Sequence, residues 1–218
     1  MNKELQYKEY AKGYNKYIYK VVPSCKKILD VGCNTGLLGE KLINEKKCIV
    51  YGVDYSHNAI ALAKKKLTNA LVFDLEKEGV PYSNERFDII IFGDVLEHLH
   101  NPGGALKKFK KLLSKDGIII VSLPNVANIN IRLDLLLGRW NYKPWGILDR
   151  THLKFFTLNT AKELVISNNY SILKIYSTPG FHFIILRGNG FLRKIAEIIC
   201  KIYPKLFALQ FIIVAKSK

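Results

Sequence analysis

The chain is poor in features that would tie it to a bilayer, a metal or a disulfide framework. No apolar run in its 218 residues approaches the ~18 residues that cross a membrane. The longest near the end, FALQFIIVA at 207–215, is about half that and is broken by Gln210. The opening residues, MNKELQYKEYAKGYNKY, are charged and aromatic and lack the apolar core of a secretory signal. The four cysteines, Cys25, Cys33, Cys48 and Cys200, lie far apart with no CxxC pair. That spacing argues against a zinc site and a disulfide framework, so no metal is expected, and it fits a reducing cytoplasm. Arginine is scarce beside lysine, although the net charge is +16. Nucleic-acid readers cluster Lys and Arg among aromatics, and arginine does much of the base reading. Dispersed lysine therefore argues weakly against nucleic acid; with isoleucine and asparagine also plentiful it reads first as a genome's base composition, with an acidic substrate or a membrane surface as the other options.

What is present is enough for one sizeable core. Hydrophobic residues make up 49% of the chain and aromatics 11%, which excludes a disordered chain. No repeat, low-complexity tract or linker divides residues 1–218, and one domain is expected. Residues 3–20 pattern as an amphipathic helix, within a helical cap over 1–24. Strands are expected at KKILDV, CIVYGVD (48–54), NALVFDL (69–75), RFDIIIFGD (86–94) and GIIIVSLP (117–124), with helices between them. Such alternation, with strands that are nearly continuous apolar runs, predicts an α/β sheet covered by helices on both faces. Later come a helix at LNTAKELVISNN, a strand at YSILKIYS, a helix at 191–203 and a closing strand at about 206–215.

Ligands of such sheets sit at the carboxyl ends of the strands. Asp30, Asp54, Asp74 and Asp94 each fall at or just past such an end, four acids along one rim. The turn after the first strand, DVGCNTGLLG, fits a dinucleotide fingerprint poorly, because Asn34 stands where a glycine is needed in either alignment. No GKS or GKT follows to make a phosphate loop. Asp30, two residues before the turn, disfavours a phosphate and suits a cationic ligand. Gly32 and Gly36 let the backbone come close, and the helix start after them can receive a carboxylate. Asp54 follows Gly32 by 22 residues, the place from which an acid accepts from two ribose hydroxyls.

At these residues the chain resembles the class I S-adenosylmethionine-dependent methyltransferases. ILDVGCNTG, VYGVDYS, LVFDLE, FDIIIFGDVLEHLHNP and GIIIVSLPN occur in order and at the family's spacing, over roughly residues 25–125. The resemblance implies a Rossmann-like, seven-stranded mixed sheet whose last strand is antiparallel. It implies a cofactor-binding core at 25–125 and an acceptor-side segment with closing strands at 126–218. The residues from Asp30 through Gly32, Cys33 and Asn34 to Gly36 would hold the methionine portion of S-adenosylmethionine. Asp54 would hold the ribose, with Tyr55 beside the adenine. Asp74 would accept from the adenine amino group, with Leu75 offering its backbone. Gly93, Asp94 and Val95 would line the cofactor near its sulfonium.

Methyl transfer is a direct displacement, so the protein must align the partners and, for a hydroxyl, take a proton. WGILDRTHLKFFT (145–157) packs Asp149, Arg150 and His152 together after the fifth strand, where the family's acceptor pocket forms. It resembles a subgroup found among bacterial proteins for cell-surface glycans and small metabolites, and more loosely the ubiquinone-type O-methyltransferases. One reading has His152 as general base, oriented by Asp149, with Arg150 holding an acidic group of the acceptor. The other has an Asp149–Arg150 ion pair and a structural histidine. His98, in DVLEHLH, either faces the site or starts a helix beside Glu97. Trp140, Tyr142 and Trp145 either stack on an acceptor ring or pack. GDVLEHL carries no Pro-Pro-aromatic clamp for a planar amine, which favours oxygen over nitrogen. The acceptor expected is a small molecule, a glycan or a lipid-linked compound. RNA, protein or a non-catalytic cofactor-binding role are the alternatives. The protein is expected in the cytoplasm, with peripheral membrane contact through the basic amphipathic 191–203 stretch as one option. The oligomeric state is open.

Overall fold

The computed structural model describes residues 13–77, 79–179 and 197–218. The α-helices that lie wholly within the described residues are α1 (Lys16–Val21), α2 (Leu37–Lys46), α3 (His57–Ala63), α4 (Pro102–Lys110), α5 (Ile129–Leu136), α6 (Leu158–Ser167) and the single turn α7 (Pro204–Phe207). The strands are β1 (Lys27–Val31), β2 (Ile49–Asp54), β3 (Asn69–Val72), β4 (Phe87–Gly93), β5 (Leu113–Pro124), β6 (Tyr170–Pro179) and β7 (Ala208–Ser217). They form one seven-stranded sheet in the order β3-β2-β1-β4-β5-β7-β6. β1 to β5 pair in parallel, and β7 runs antiparallel to both β5 and β6. The mixed sheet with an antiparallel last strand is the architecture expected.

Side chains alternate across a strand, so each central strand feeds two cores. Leu29, Val31, Ile90, Phe92, Ile119, Val121 and Ile213 point to one face, where Leu106 and Phe109 of α4 and Ala161 and Val165 of α6 cover them. Ile28, Val50, Ile89, Ile91, Ile120 and Ile212 point to the other, beneath Ile18 of α1, Leu38 and Leu42 of α2, and Ile60 and Ala63 of α3. Burial on both faces is why these strands read as continuous apolar runs. It leaves polar groups only at the strand ends, where the acids stand.

Several boundaries differ from the sequence reading. β3 ends at Val72 rather than at 75, because Asp74 starts a turn and accepts the Glu76 N–H at 3.0 Å. β5 begins at Leu113, four residues early, since Leu113 already pairs with Phe87. The described helical part of the N-terminal cap is α1, started by Asn15, whose side chain accepts the N–H groups of Tyr17 and Ile18. The remainder of the 3–20 helix, and residues up to 196 of the 191–203 helix, lie outside the described residues. Among the described residues, no helix is long and apolar enough to cross a membrane.

Candidate active site

The turn after β1 is built for close approach. Gly32 has φ +74°, and a Cβ there would lie 2.3 Å from Val95 Cγ2. Asn34 follows at φ 48°, a left-handed conformation that asparagine tolerates better than most residues, so the missing glycine costs little here. Gly36, at φ 78°, starts α2 with no side-chain cap, whereas serine, threonine or asparagine side chains cap α1 and α3 to α6. The first N–H groups of α2 are thus left for a ligand's carboxylate.

Asp54, at the end of β2, ties this turn to its neighbour. Its Oδ2 accepts the Asn34 N–H at 3.0 Å and its Oδ1 the Ser56 N–H at 2.9 Å. Burial raises its pKa, against the pull of those N–H groups. Asp30 is 4% exposed at the end of β1. Burial, then the Asp54 charge, pushes its pKa up to about 7. A cation placed beside Asp30 and Asp54 relieves both costs. Asn34 Oδ1 is buried with no hydrogen-bond partner, an acceptor waiting for a donor. Cys33 is buried in the same turn, and burial raises its thiol pKa. An orphaned acceptor, two buried acids, a turn with no room for a side chain and an open helix start together fit S-adenosylmethionine, with its ammonium, carboxylate and ribose hydroxyls.

The outer residues are arranged more loosely. Tyr55 is 67% exposed at the rim. Asp74 accepts within its own turn and lies 3.5 Å from Lys77 Nζ. The Leu75 carbonyl takes Lys108 Nζ at 2.7 Å. Gly93 ends β4 against Ile18. Asp94 turns with φ 57°, and its carboxylate meets side chains of Asn15, Ser122 and Gln210.

After β4 a single 3₁₀ turn, Leu96–His98, buries Glu97 to 1% exposure. The 145–157 segment folds back on it, and the Glu97 carbonyl accepts the N–H groups of Leu153 at 2.8 Å and Lys154 at 3.0 Å. This brings His152 and His98 together, their ring centroids 4.7 Å apart. His152 Nδ1 lies 3.0 Å from the Ile147 carbonyl oxygen, which can only accept; that assigns the proton to Nδ1 and leaves Nε2 its lone pair. Nε2 faces Glu97 Oε1 at 4.0 Å. Burial, then His98, lowers the His152 pKa, while burial holds the Glu97 carboxyl well above the usual range. Glu97 Oε2 is buried without a partner.

The hydrogen-bond partner at His152 Nδ1 is the carbonyl of Ile147, where the sequence reading put Asp149. The fully buried Asp149 accepts from Thr151 Oγ1 at 2.7 Å, and that oxygen lies 3.0 Å from His98 Nδ1. Asp149 therefore orients His98 through Thr151. Arg150 is exposed, its N–H on the Lys143 carbonyl. Trp140 packs edge-on to Phe155, whereas Tyr142 and Trp145 are more than half exposed. Glu97, Thr151 and Ile147 were missed as site residues. For Glu97 the signal was its place between Asp94 and His98. No metal set was expected, yet Glu97, His98 and His152 bring ligand atoms within 4.8 Å of one another, a nitrogen and oxygen set that suits a divalent cation.

Comparison with known proteins agrees with this fold. A family profile described as a methyltransferase domain matches residues 1–175. A ubiquinone biosynthesis O-methyltransferase of Haemophilus ducreyi is 32% identical over 167 residues, 72% of this chain and 69% of that one. Another of that name, from Glaesserella parasuis, is 35% identical over 109 residues, and the match spans only 46% of each protein. A SAM-dependent methyltransferase structure from Archaeoglobus fulgidus shares the fold, with a TM-score of 0.64 at 21% identity over 99% of this chain and 95% of the other.

Proposed function

The chain belongs to the methyltransferase-domain family, as an enzyme that uses S-adenosylmethionine, and we propose that it methylates a hydroxyl oxygen of a small-molecule, glycan or lipid-linked acceptor. The observation that carries this reading is His152, a neutral imidazole with its Nδ1–H on the Ile147 carbonyl and its Nε2 left as the proton acceptor, facing Glu97. The relatives named as O-methyltransferases support oxygen.

Bound S-adenosylmethionine supplies an electrophilic methyl on a sulfonium. Asp30 and Asp54 would hold its cationic and ribose portions, and the turn from Gly32 to Gly36 would take its methionine end. His152 takes the acceptor's proton on Nε2 as the oxygen commits to the methyl. The resulting imidazolium is steadied by the Ile147 carbonyl at Nδ1. His98, held through Thr151 by Asp149, packs edge-on against the His152 ring. The test is His152→Ala, which abolishes methylation of a hydroxyl acceptor while affinity for S-adenosylhomocysteine stays. Methylation that survives the change removes His152 from the chemistry. Binding to bulk RNA that withstands physiological salt would move the acceptor class to nucleic acid.

A lipid-linked acceptor has its own support. Leu133, Leu135, Leu136 and Leu137 of α5 and its end are 50–81% exposed, with Arg132 and Arg139 beside them. Ile198, Ile202 and Tyr203 are also more than half exposed, near Lys201 and Lys205. Apolar side chains amid cations suit an anionic bilayer surface and a cytoplasmic protein that visits it. Co-sedimentation with anionic but not neutral vesicles, lost in Leu136→Ser/Leu137→Ser, is the expected result.

A further inference from the structure

Of the eight residues of α5 only Ile131 is buried, while Arg132, Leu133, Leu135 and Leu136 face solvent. A helix this short has little stability of its own. Its one buried side chain joins Ile147 and Leu148 in a small cluster, with Val126, Phe155 and Leu209 around them. None of these residues belongs to either of the two sheet cores. Ile147 is the residue whose carbonyl lies 3.0 Å from His152 Nδ1. The stretch that carries it, residues 137–157, holds no helix or strand, and loops longer than ~12–15 such residues are uncommon and mostly functional.

Two fully buried asparagines fix where α5 stands. Asn128 Oδ1 accepts the Asn130 N–H at 3.0 Å and so starts the helix, while its Nδ2 donates to the Ala208 carbonyl at 2.9 Å. Asn125 Nδ2 donates to the same carbonyl at 2.9 Å and to the Lys205 carbonyl of α7 at 3.2 Å. Between them, the Val126 N–H donates to the Phe156 carbonyl at 2.9 Å, which closes the far end of the loop. The start of α5, the start of β7 and the end of the His152 loop therefore meet at one place. A buried and paired polar network of this kind specifies a single arrangement.

We propose that Ile131 and Asn128 are positioning residues for the base: α5 seats Ile147 so that its carbonyl holds the Nδ1–H of His152 and leaves Nε2 free to accept. This rests on the reading of His152 as the general base and names what sets it. A neutral imidazole carries its one proton on either nitrogen, and only the form with a bare Nε2 takes a proton there. The group that selects this form is a main-chain carbonyl, and its direction follows from where the flanking side chains are anchored. Within the loop, the Lys143 N–H donates to the Leu148 carbonyl at 2.8 Å and the His152 N–H to the Asp149 carbonyl at 3.1 Å. A turn made rigid by those bonds alone would keep the carbonyl in place without α5, and that is the rival to exclude.

The full chain labelled with ¹⁵N-histidine separates the two, the His152 ring signals being those missing from His152→Ala. Long-range ¹H–¹⁵N correlation, recorded well above the ordinary histidine pKa, tells a protonated ring nitrogen from a bare one. The wild type shows Nδ1 protonated and Nε2 bare. Ile131→Ala shifts the tautomer ratio by about fivefold toward the Nε2–H form, the worth of one neutral hydrogen bond, and Ile131→Val keeps the wild-type ratio. Asn128→Ser retains a capping side chain but drops the donor to Ala208, and it shifts the ratio in the same direction. Val165→Ala, in the sheet core beneath α6, lowers the melting temperature and leaves the His152 signals as they are. A ratio unchanged in both Ile131→Ala and Asn128→Ser overturns the proposal: the turn holds itself, α5 only packs, and the base reading stands. An equal shift in Val165→Ala overturns it too, as a general effect of lost stability. A wild type that carries the proton on Nε2 sinks the base reading itself, and the positioning role with it.

Discussion

The Asp54 carboxylate accepts the main-chain N–H of Asn34 at 3.0 Å, so the acid that ends β2 also shapes the turn that follows β1. Asp54→Ala removes that brace and the ribose acceptor together. Hydrogen bonds to a charged group are worth about 1.5–3 kcal/mol each, so affinity for S-adenosylmethionine falls by about 100-fold. Calorimetric titration with S-adenosylmethionine, S-adenosylhomocysteine and NAD reads this directly. NAD binding in place of the other two would mean that the rim serves a different ligand.

Asp30 makes cofactor binding depend on pH. Its folded-state pKa of about 7 lies above the unfolded carboxylate value. Its contribution to stability is therefore present in acid and lost as pH rises through about 7, where the folded chain must release the proton. A cationic ligand needs the ionised form, so affinity climbs by up to about tenfold per pH unit below that point and then levels. Asp30→Asn flattens the curve. Calorimetry at pH 6 in buffers of different ionisation enthalpy detects the proton released on binding. A wild-type affinity that is level across this range removes Asp30 from the contact.

Gly32→Ala places a Cβ 2.3 Å from Val95 Cγ2 on a backbone at φ +74°. Left-handed strain and overpacking each cost about 1–3 kcal/mol. The melting temperature drops by about 5 °C or more for a chain of this length. Val95→Ala in the same chain restores the packing share and leaves the backbone share. No change in thermal stability would show that the turn relaxes freely.

Proton removal by His152 needs no cation, so a chelator leaves the methylation rate unchanged. Burial keeps Glu97 protonated, so Glu97→Gln keeps both the shape and the neutrality beside Nε2 and leaves the rate within about threefold. A rate abolished by chelation, restored by Mn²⁺ and unresponsive in Glu97→Gln, would instead make Glu97, His98 and His152 a cation site.

Several of these features are legible along the chain. Asp30 and Asp54 end β1 and β2 as the apolar runs before them imply, because a strand buried on both faces keeps its polar residues for its ends. Asn34 reads as a substitute for glycine because asparagine tolerates left-handed backbone. Local pattern misreads the end of β3, which stops at Val72 short of Asp74, and Glu97, which looks like an exposed acid in the first turn of a helix. Glu97 is buried because Leu153 and Lys154, more than fifty residues on, bond to its carbonyl. Nothing in the periodicity around Glu97 encodes that return.

The sequence by itself determined the element types, the parallel core and the acids along its rim. Those follow from local hydrophobic period and turn chemistry, which act over a few residues. Tertiary structure decided which nitrogen of His152 is free, that Asp149 serves His98, and that Asn15 and Gln210, 195 positions apart, meet over Asp94. The last meeting exists because β7 inserts between β5 and β6, and closure of a sheet is settled by contacts between distant segments.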